Sequence, residues 1–518
     1  MKLEKNLILS TSLLAGAMVA AGGASAFAQS QKQSPNLLYI FPDQYRVHAM
    51  GIWSNPEYRE LMATVADPVH TPNIDKLAQQ GALFTHACSM FPVSSPHRGM
   101  LMSGMYSQQN GLDMNAHKSN PSGLNHDLKT FTNVLDEAGY ETAYVGKVHW
   151  ERTQALFDAN GNYVGTLEEP GGHLMNDYDT YVPEGAGRFG NDFWYQQVID
   201  NHFNTVSYSN QPQYVGGKTD GEQHKNSGQF ATMNESEVVL DYINNKGGNM
   251  RDESKPFSMI WSINPPHSPY SRLTDCETEE YARFADMSVE ELLVRDNVIF
   301  KDDADKARLE LTAKIYFALI SGVDREIGRV LEALENQGLA ENTIVVFTSD
   351  HGDMMGSHGK MGKPQIYDEA FMVPYIIRYP GVIEPKITDL QFNTIDIMPT
   401  LLSMMGFKDQ TPDTVDGRDY SAGIINDDYS VVPKPKSALY RAFKDRGLRT
   451  YDYAYVVHPT GEYAIYDLRV DPYQMNALTF EQIPAEDGQM LKDELGFWLK
   501  DCKDSWYRRK TNKHLINY

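Results

Sequence analysis

The chain has 518 residues, 46 of them Lys or Arg and 69 Asp or Glu, for a formal net charge of −23 at pH 7. That acidic balance excludes general nucleic-acid binding, which needs a basic footprint, and any anionic ligand must be drawn in by local cations. An apolar fraction of 41% excludes a disordered or fibrous chain. The length allows roughly two to four domains, or one large α/β domain with an appendage.

The chain opens with Lys2 and Lys5, an apolar run from Leu7 to Ala21, and Ala26-Phe27-Ala28. A basic start, a short hydrophobic stretch and an A-x-A site predict a secretory signal peptide over residues 1–28, hence export to the periplasm or the medium. No later segment is long and apolar enough to predict a membrane span. Three cysteines, Cys88, Cys276 and Cys502, allow at most one disulfide, so stability must come from the core.

Four apolar runs follow, each ending in chemically capable residues. Leu37 to Phe41 leads to Asp43, and Thr142 to Val145 leads to Lys147 and His149. Phe257 to Ile263 leads to His267, and Thr343 to Phe347 leads to Asp350 and His351. Continuous apolar runs suit strands buried on both faces of a parallel sheet. Between the third and fourth runs, Val323, Ile327, Val330, Leu331 and Leu334 repeat at helical spacing, with Gly338 as a stop. The alternation predicts an α/β fold with helices on both faces, and ligands in such sheets gather at the carboxyl ends of the strands.

Residues 151–229 break this pattern. They read as an insertion rich in Gly, Asn, Asp and aromatics, among them Tyr178, Tyr181, Phe193, Trp194, Tyr195 and Tyr214. Those rings either pack the insertion down or stack on sugar faces. Val431 to Ser437, with Pro433 and Pro435, reads as a linker. Strand-like Tyr453 to Val457 and an amphipathic stretch from Met490 to Trp498 follow. The expected organisation is a catalytic domain over 29–430 and a smaller α+β subdomain over 431–518.

The most informative stretch runs from Ser94 to Gly104. Ser94, Pro96, Arg98, Leu101, Ser103 and Gly104 fit the pattern Cys/Ser-x-Pro-x-Arg, a hydrophobic stretch, then Thr/Ser-Gly, with His97 in place of the more usual Ser. Here the chain resembles the formylglycine-dependent (type I) sulfatases of the alkaline phosphatase superfamily. The resemblance continues in family order through Asn36 to Asp43, Thr71 to Ala78, Gly146 to His149, Asn264 to His267, Thr348 to Gly352 and His358 to Lys363. It implies a large, mixed but mostly parallel sheet sandwiched by helices, and a sulfatase acting on sulfate monoesters, with a sulfated carbohydrate favoured as substrate.

The resemblance also implies roles. Ser94 is the residue a maturase oxidises to formylglycine (3-oxoalanine), whose hydrated form attacks sulfur and then expels sulfate. Cys88 is no substitute, since Met90 stands where the pattern needs Pro. Asp43 and Asp350 are hard oxygen ligands for Ca²⁺, with Ser94 and, in place of the family's usual acid and Asn or Gln, Gln44 and His351. That exchange also admits Mn²⁺. Arg98 and Lys147 hold the diol, His149 assists its collapse, and His267 and Lys363 bind sulfate and serve the leaving oxygen. His358 touches substrate or supports its loop. Two alternatives stay open: a phosphodiester or phosphonate monoester hydrolase of the same superfamily, and an unmodified, non-catalytic binder of sulfated glycans.

Overall fold

A computed structural model describes residues 34–116, 122–152, 179–198, 201–363, 365–508 and 514–516. The signal-peptide reading and Tyr178 lie outside them. The central strands, Asn36–Pro42, Glu141–Gly146, Phe257–Ile263 and Thr343–Thr348, are the four apolar runs, and they pair in parallel. Along the first, alternate side chains enter opposite layers, as a period of two requires. Leu38 and Ile40 pack with the helices Pro72–Gln80, Ala231–Ile243 and Asp303–Asn336 through Leu77, Val239 and Ile320. Leu37, Tyr39 and Phe41 face Leu101, Leu135 and Leu401, from helices Ser94–Ser103, Phe131–Glu137 and Ile397–Met404. Both faces are covered, so these strands read as continuous apolar runs.

Six further strands, Lys386–Thr388 at one edge among them, extend the sheet to ten among the described residues, by parallel and antiparallel pairing. Tyr375–Arg378 joins one side, with Ala82–Phe84 beyond it. On the other side Phe193–Val198, Val206–Ser209 and His224–Lys225 come from the region whose pattern looked irregular. Its described rings mostly pack inward. Trp194 stacks on Tyr144 at 5.2 Å, under the guanidinium of Arg188, and Tyr214 donates its hydroxyl to Asp241. The predicted helix through Val323 and Leu334 is the end of a 34-residue helix, and Gly338 follows it with φ +66°. No described helix is long and apolar enough to cross a membrane.

The C-terminal region forms a four-stranded antiparallel sheet, Ser437–Ala442, Asp445–Thr450, Tyr453–Val457 and Tyr463–Asp467, covered by the helix Ala485–Asp501. Leu448, Tyr455, Leu495 and Trp498 share a core with Phe91, Val93 and Met100. This sheet therefore braces the segment that delivers Ser94. All three cysteines are free and buried.

Buried histidines set an acid limit on this fold. Burial pushes His48 and His202 down to about 4, whereas the unfolded chain takes up their protons near 6.5. Their contribution is complete above pH 6.5 and is lost as pH falls through about 4, at about 3 kcal/mol each. Denaturant midpoints are expected to fall across that window. A flat profile there refutes the neutral burial of these rings.

Candidate active site

Four strands end at one rim, and a helix starts there. Ser94 is the first residue of Ser94–Ser103, entered from an extended Val93, so its hydroxyl sits at the positive end of the helix. Gly104 ends that helix with φ +63°. A Cβ there would come within 2.9 Å of Val415, which accounts for the glycine that closes the pattern. Gly146, at φ +107°, lets its strand pass so close to Ser262 that any side chain would collide with the carbonyl. The Lys147 amide then donates to that carbonyl at 2.8 Å.

Asp43 and Asp350 converge, although 307 positions separate them. Ser94 Oγ lies 3.1 Å from Asp43 Oδ2 and 3.3 Å from His351 Nε2, and receives a hydrogen bond from Lys363 Nζ at 3.2 Å. Arg98 Nη2 reaches Asp43 at 3.2 Å and Asp350 at 3.5 Å, while Lys147 Nζ reaches Asp43 at 2.8 Å. Asp43, Asp350, His351 and Arg98 are fully buried. Burial alone would raise the Asp43 carboxyl, but Lys147, Lys363 and His267 outweigh it and hold the group well below its ordinary range.

These residues suit a divalent cation. One donor atom from each of Asp43, Asp350 and His351 lies within 4.8 Å of the others. Asp350 Oδ2 is buried and makes no hydrogen bond, with Arg98 Nη2 held off at 3.5 Å, so its lone pairs remain available to a metal cation. His351 Nδ1 faces the Gly352 carbonyl at 3.0 Å, so Nδ1 carries the proton and Nε2 is left as a lone-pair donor. Two carboxylates and one imidazole are a donor set for a divalent cation.

A cavity of ≈ 650 Å³ opens over Ser94, and Lys147, His149, His267 and Lys363 line it. Burial, then Lys147 and Arg98, push His149 well below the ordinary imidazole value; burial, then Lys363 and Lys147, do the same to His267. Burial also lowers Lys363. His149 Nε2 faces the Ala116 carbonyl at 3.1 Å, which leaves Nδ1 as the basic atom. His267 Nδ1 faces the Ser268 carbonyl at 3.0 Å, which leaves Nε2 for the cavity chemistry.

Gln44 stands beside the cluster, but other groups hold it. Its backbone amide donates to Asp350 at 3.0 Å, and its side-chain nitrogen donates to Asp353 and to Tyr270. Asp353 also accepts from the amides of Met355 and Gly362, so it ties both the Gln44 side chain and the loop carrying Lys363. In the sequence Asp353 has no assignable role and Tyr270 no signal, although each lies three residues or fewer from a site histidine. Asp179, lining the cavity and accepting from the His149 amide, carries no sequence signal at all. His358 is elsewhere: it stacks on Tyr367 at 3.7 Å and meets Asn297, supporting its loop. His97 points away, to Ser89 and Thr394.

A mostly parallel sheet with a hydroxyl, two carboxylates and a set of cations at its strand ends defines a hydrolase of the alkaline phosphatase type, built for esters of tetrahedral oxyanions. Residues 35–407 match the family model described as Sulfatase, and residues 356–499 match that described as N-sulphoglucosamine sulphohydrolase, C-terminal. An endo-4-O-sulfatase of Bacteroides thetaiotaomicron is 36% identical over 97% of this chain and 99% of its own. An ulvan-active sulfatase of Formosa agariphila is 30% identical over 93% of this chain and 86% of its own. A solved structure from work on glycosaminoglycan metabolism by B. thetaiotaomicron has a TM-score of 0.84 at 34% identity, covering 94% of this chain and 100% of that one. The chain belongs to the sulfatase family, the sulfuric ester hydrolases of the alkaline phosphatase superfamily.

Proposed function

We propose that this protein is an exported sulfatase that hydrolyses sulfate monoesters on a sulfated carbohydrate, with formylglycine made from Ser94 by a maturase. The catalytic domain spans 29–430 and the C-terminal subdomain 431–518, with residues 1–28 directing export to the periplasm or beyond. The single observation that carries the reading is the position of Ser94 Oγ, within 3.3 Å of Asp43, His351 and Lys363 at once. The relatives named an endo-4-O-sulfatase and an ulvan-active sulfatase support a polysaccharide substrate.

Asp43, Asp350 and His351 would hold the metal, with residue 94 and Gln44 completing its surroundings; when bound, the ion supplies positive charge for the attacking oxygen and the sulfate oxygens. The hydrated formylglycine supplies one hydroxyl for attack on sulfur and a second whose ionisation releases sulfate. Arg98 and Lys147 orient residue 94. Lys147, Lys363 and His267 bind the sulfate anion, supplying the local cations that an acidic protein needs. His267 Nε2, with Lys363 beside it, delivers a proton to the leaving alcohol oxygen as its bond to sulfur breaks. His149 Nδ1 accepts the proton of the second hydroxyl as sulfate leaves.

Mass spectrometry of the peptide containing Ser94, from active native material, is expected to show the loss of two hydrogens or the corresponding hydrate. An intact serine in active protein refutes the formylglycine reading, and an intact serine in inactive, glycan-binding protein makes it a binder. Rates on an aryl sulfate are expected to exceed those on a phosphate diester. The reverse order makes the protein a phosphodiester or phosphonate monoester hydrolase.

A further inference from the structure

A second cavity, of ≈ 710 Å³, adjoins the catalytic one, and no step above uses it. Two stretches of chain contribute neighbouring residues to both. Met114 lines the second while Asn115 lines the first, and Lys360 and Gln365 line the second while Lys363 lines the first. The far wall is the hairpin turn of the C-terminal sheet, Ala442 to Asp445, where Phe443 and Lys444 form the two-residue tip between paired Ala442 and Asp445. Arg441, at the base of that hairpin, pairs with Asp113 and ties it to the 113–115 stretch.

Three observations point to an occupant. First, Phe443 has φ +49°, a left-handed conformation in which a bulky residue is rarely held and where hairpin tips ordinarily place Asn, Asp or Gly. The strain keeps an aromatic ring 45% exposed at the cavity wall, with an edge contact to Phe91. Second, Lys360 and Lys444 are exposed cations with no ion-pair partner among the described residues, and both line this one cavity. Third, Asp445 is the only carboxylate among the described lining residues, and His458 engages it at 2.9 Å. The cavity thus offers a flat apolar ring flanked by two free positive charges.

We propose that this cavity is a second subsite, which takes the anionic sugar next to the sulfated one, with its ring on Phe443 and its carboxylate or sulfate between Lys360 and Lys444. A pyranose presents an apolar face to an aromatic ring, and the anion on the same residue reaches the ammonium groups. The enzyme then reads at least two sugars and acts on chains in preference to free monosaccharide sulfates. This deepens the sulfatase reading and rests on it for the nature of the ligand.

The test compares the parent with the double variant Phe443→Ala/Lys444→Ala and with Lys360→Ala, all at exposed positions, using a chondroitin 4-sulfate tetrasaccharide and 4-nitrophenyl sulfate. Affinity for the tetrasaccharide is measured by calorimetry in a Ser94→Ala background, where no turnover consumes it. The double variant is expected to bind at least about tenfold more weakly. With Ser94 intact, kcat/KM on 4-nitrophenyl sulfate is expected to stay within about twofold of the parent, since one ring reaches only the first cavity. A carboxyl-reduced tetrasaccharide separates the two anion sources: loss of the parent's advantage assigns the site to a uronate, and its persistence assigns it to a second sulfate. Equal affinities for parent and variants, or no binding by either, overturn the subsite. A binding difference without sulfate release by the parent overturns the sulfatase reading alone.

Discussion

Asp350→Asn is expected to lower kcat by at least about 10³-fold while the fold survives. Asparagine keeps an oxygen to accept the Gln44 amide hydrogen, so the local turn is retained. What disappears is the carboxylate charge that shares Arg98 with Asp43, while Asp43 keeps Lys147 and Lys363. The second Asp350 oxygen, which faces Arg98 at 3.5 Å without a hydrogen bond, becomes an amide nitrogen that is a poorer ligand for a divalent cation. Metal content by elemental analysis and sulfate release should fall together, with an unchanged melting midpoint. Activity near the parent level in a metal-free variant refutes the metal assignment. In the parent, chelation should abolish turnover, and restoration by Ca²⁺ or by Mn²⁺ alone identifies the ion.

His267→Asn should show an effect that depends on the leaving group. A sugar alkoxide is a poor leaving group and needs its proton in the transition state, so the loss on a carbohydrate sulfate should reach about 10²–10⁴-fold. A nitrophenolate leaves without help, and the loss on 4-nitrophenyl sulfate should be an order of magnitude or less, reflecting only weaker sulfate binding. Equal losses on both substrates would show that His267 binds sulfate without protonating the leaving oxygen. The free protein holds this ring largely neutral through burial and the neighbouring Lys363 and Lys147. A sulfate bound among those cations would offset their charge and raise the proton affinity of the ring.

The residue order exposed these features unevenly. Asp43, Lys147, His149, His267, Asp350 and His351 each follow a buried strand, and a parallel sheet presents such positions on one rim. Ser94 and Arg98 were legible because a helix start and its next turn lie close in sequence. Asp353 and Tyr270 were not, because their part is to hold Gln44, a contact across 309 and 226 positions that no local pattern records. Phe193 and Trp194 looked like parts of an irregular insertion, yet they form a strand of the main sheet, since pairing with Ala143 and Tyr144 decides their conformation. Tertiary pairing overrode the local pattern there.

By itself, then, the sequence determined the layered α/β architecture and the set of groups at its strand ends, because burial on both faces and period-two alternation leave a local imprint. Only the tertiary structure decided which cations meet Asp43, how Gln44 is held, and that the C-terminal hairpin walls a cavity beside Ser94. Those depend on contacts between residues hundreds of positions apart, where packing and charge select the partner and chain order does not.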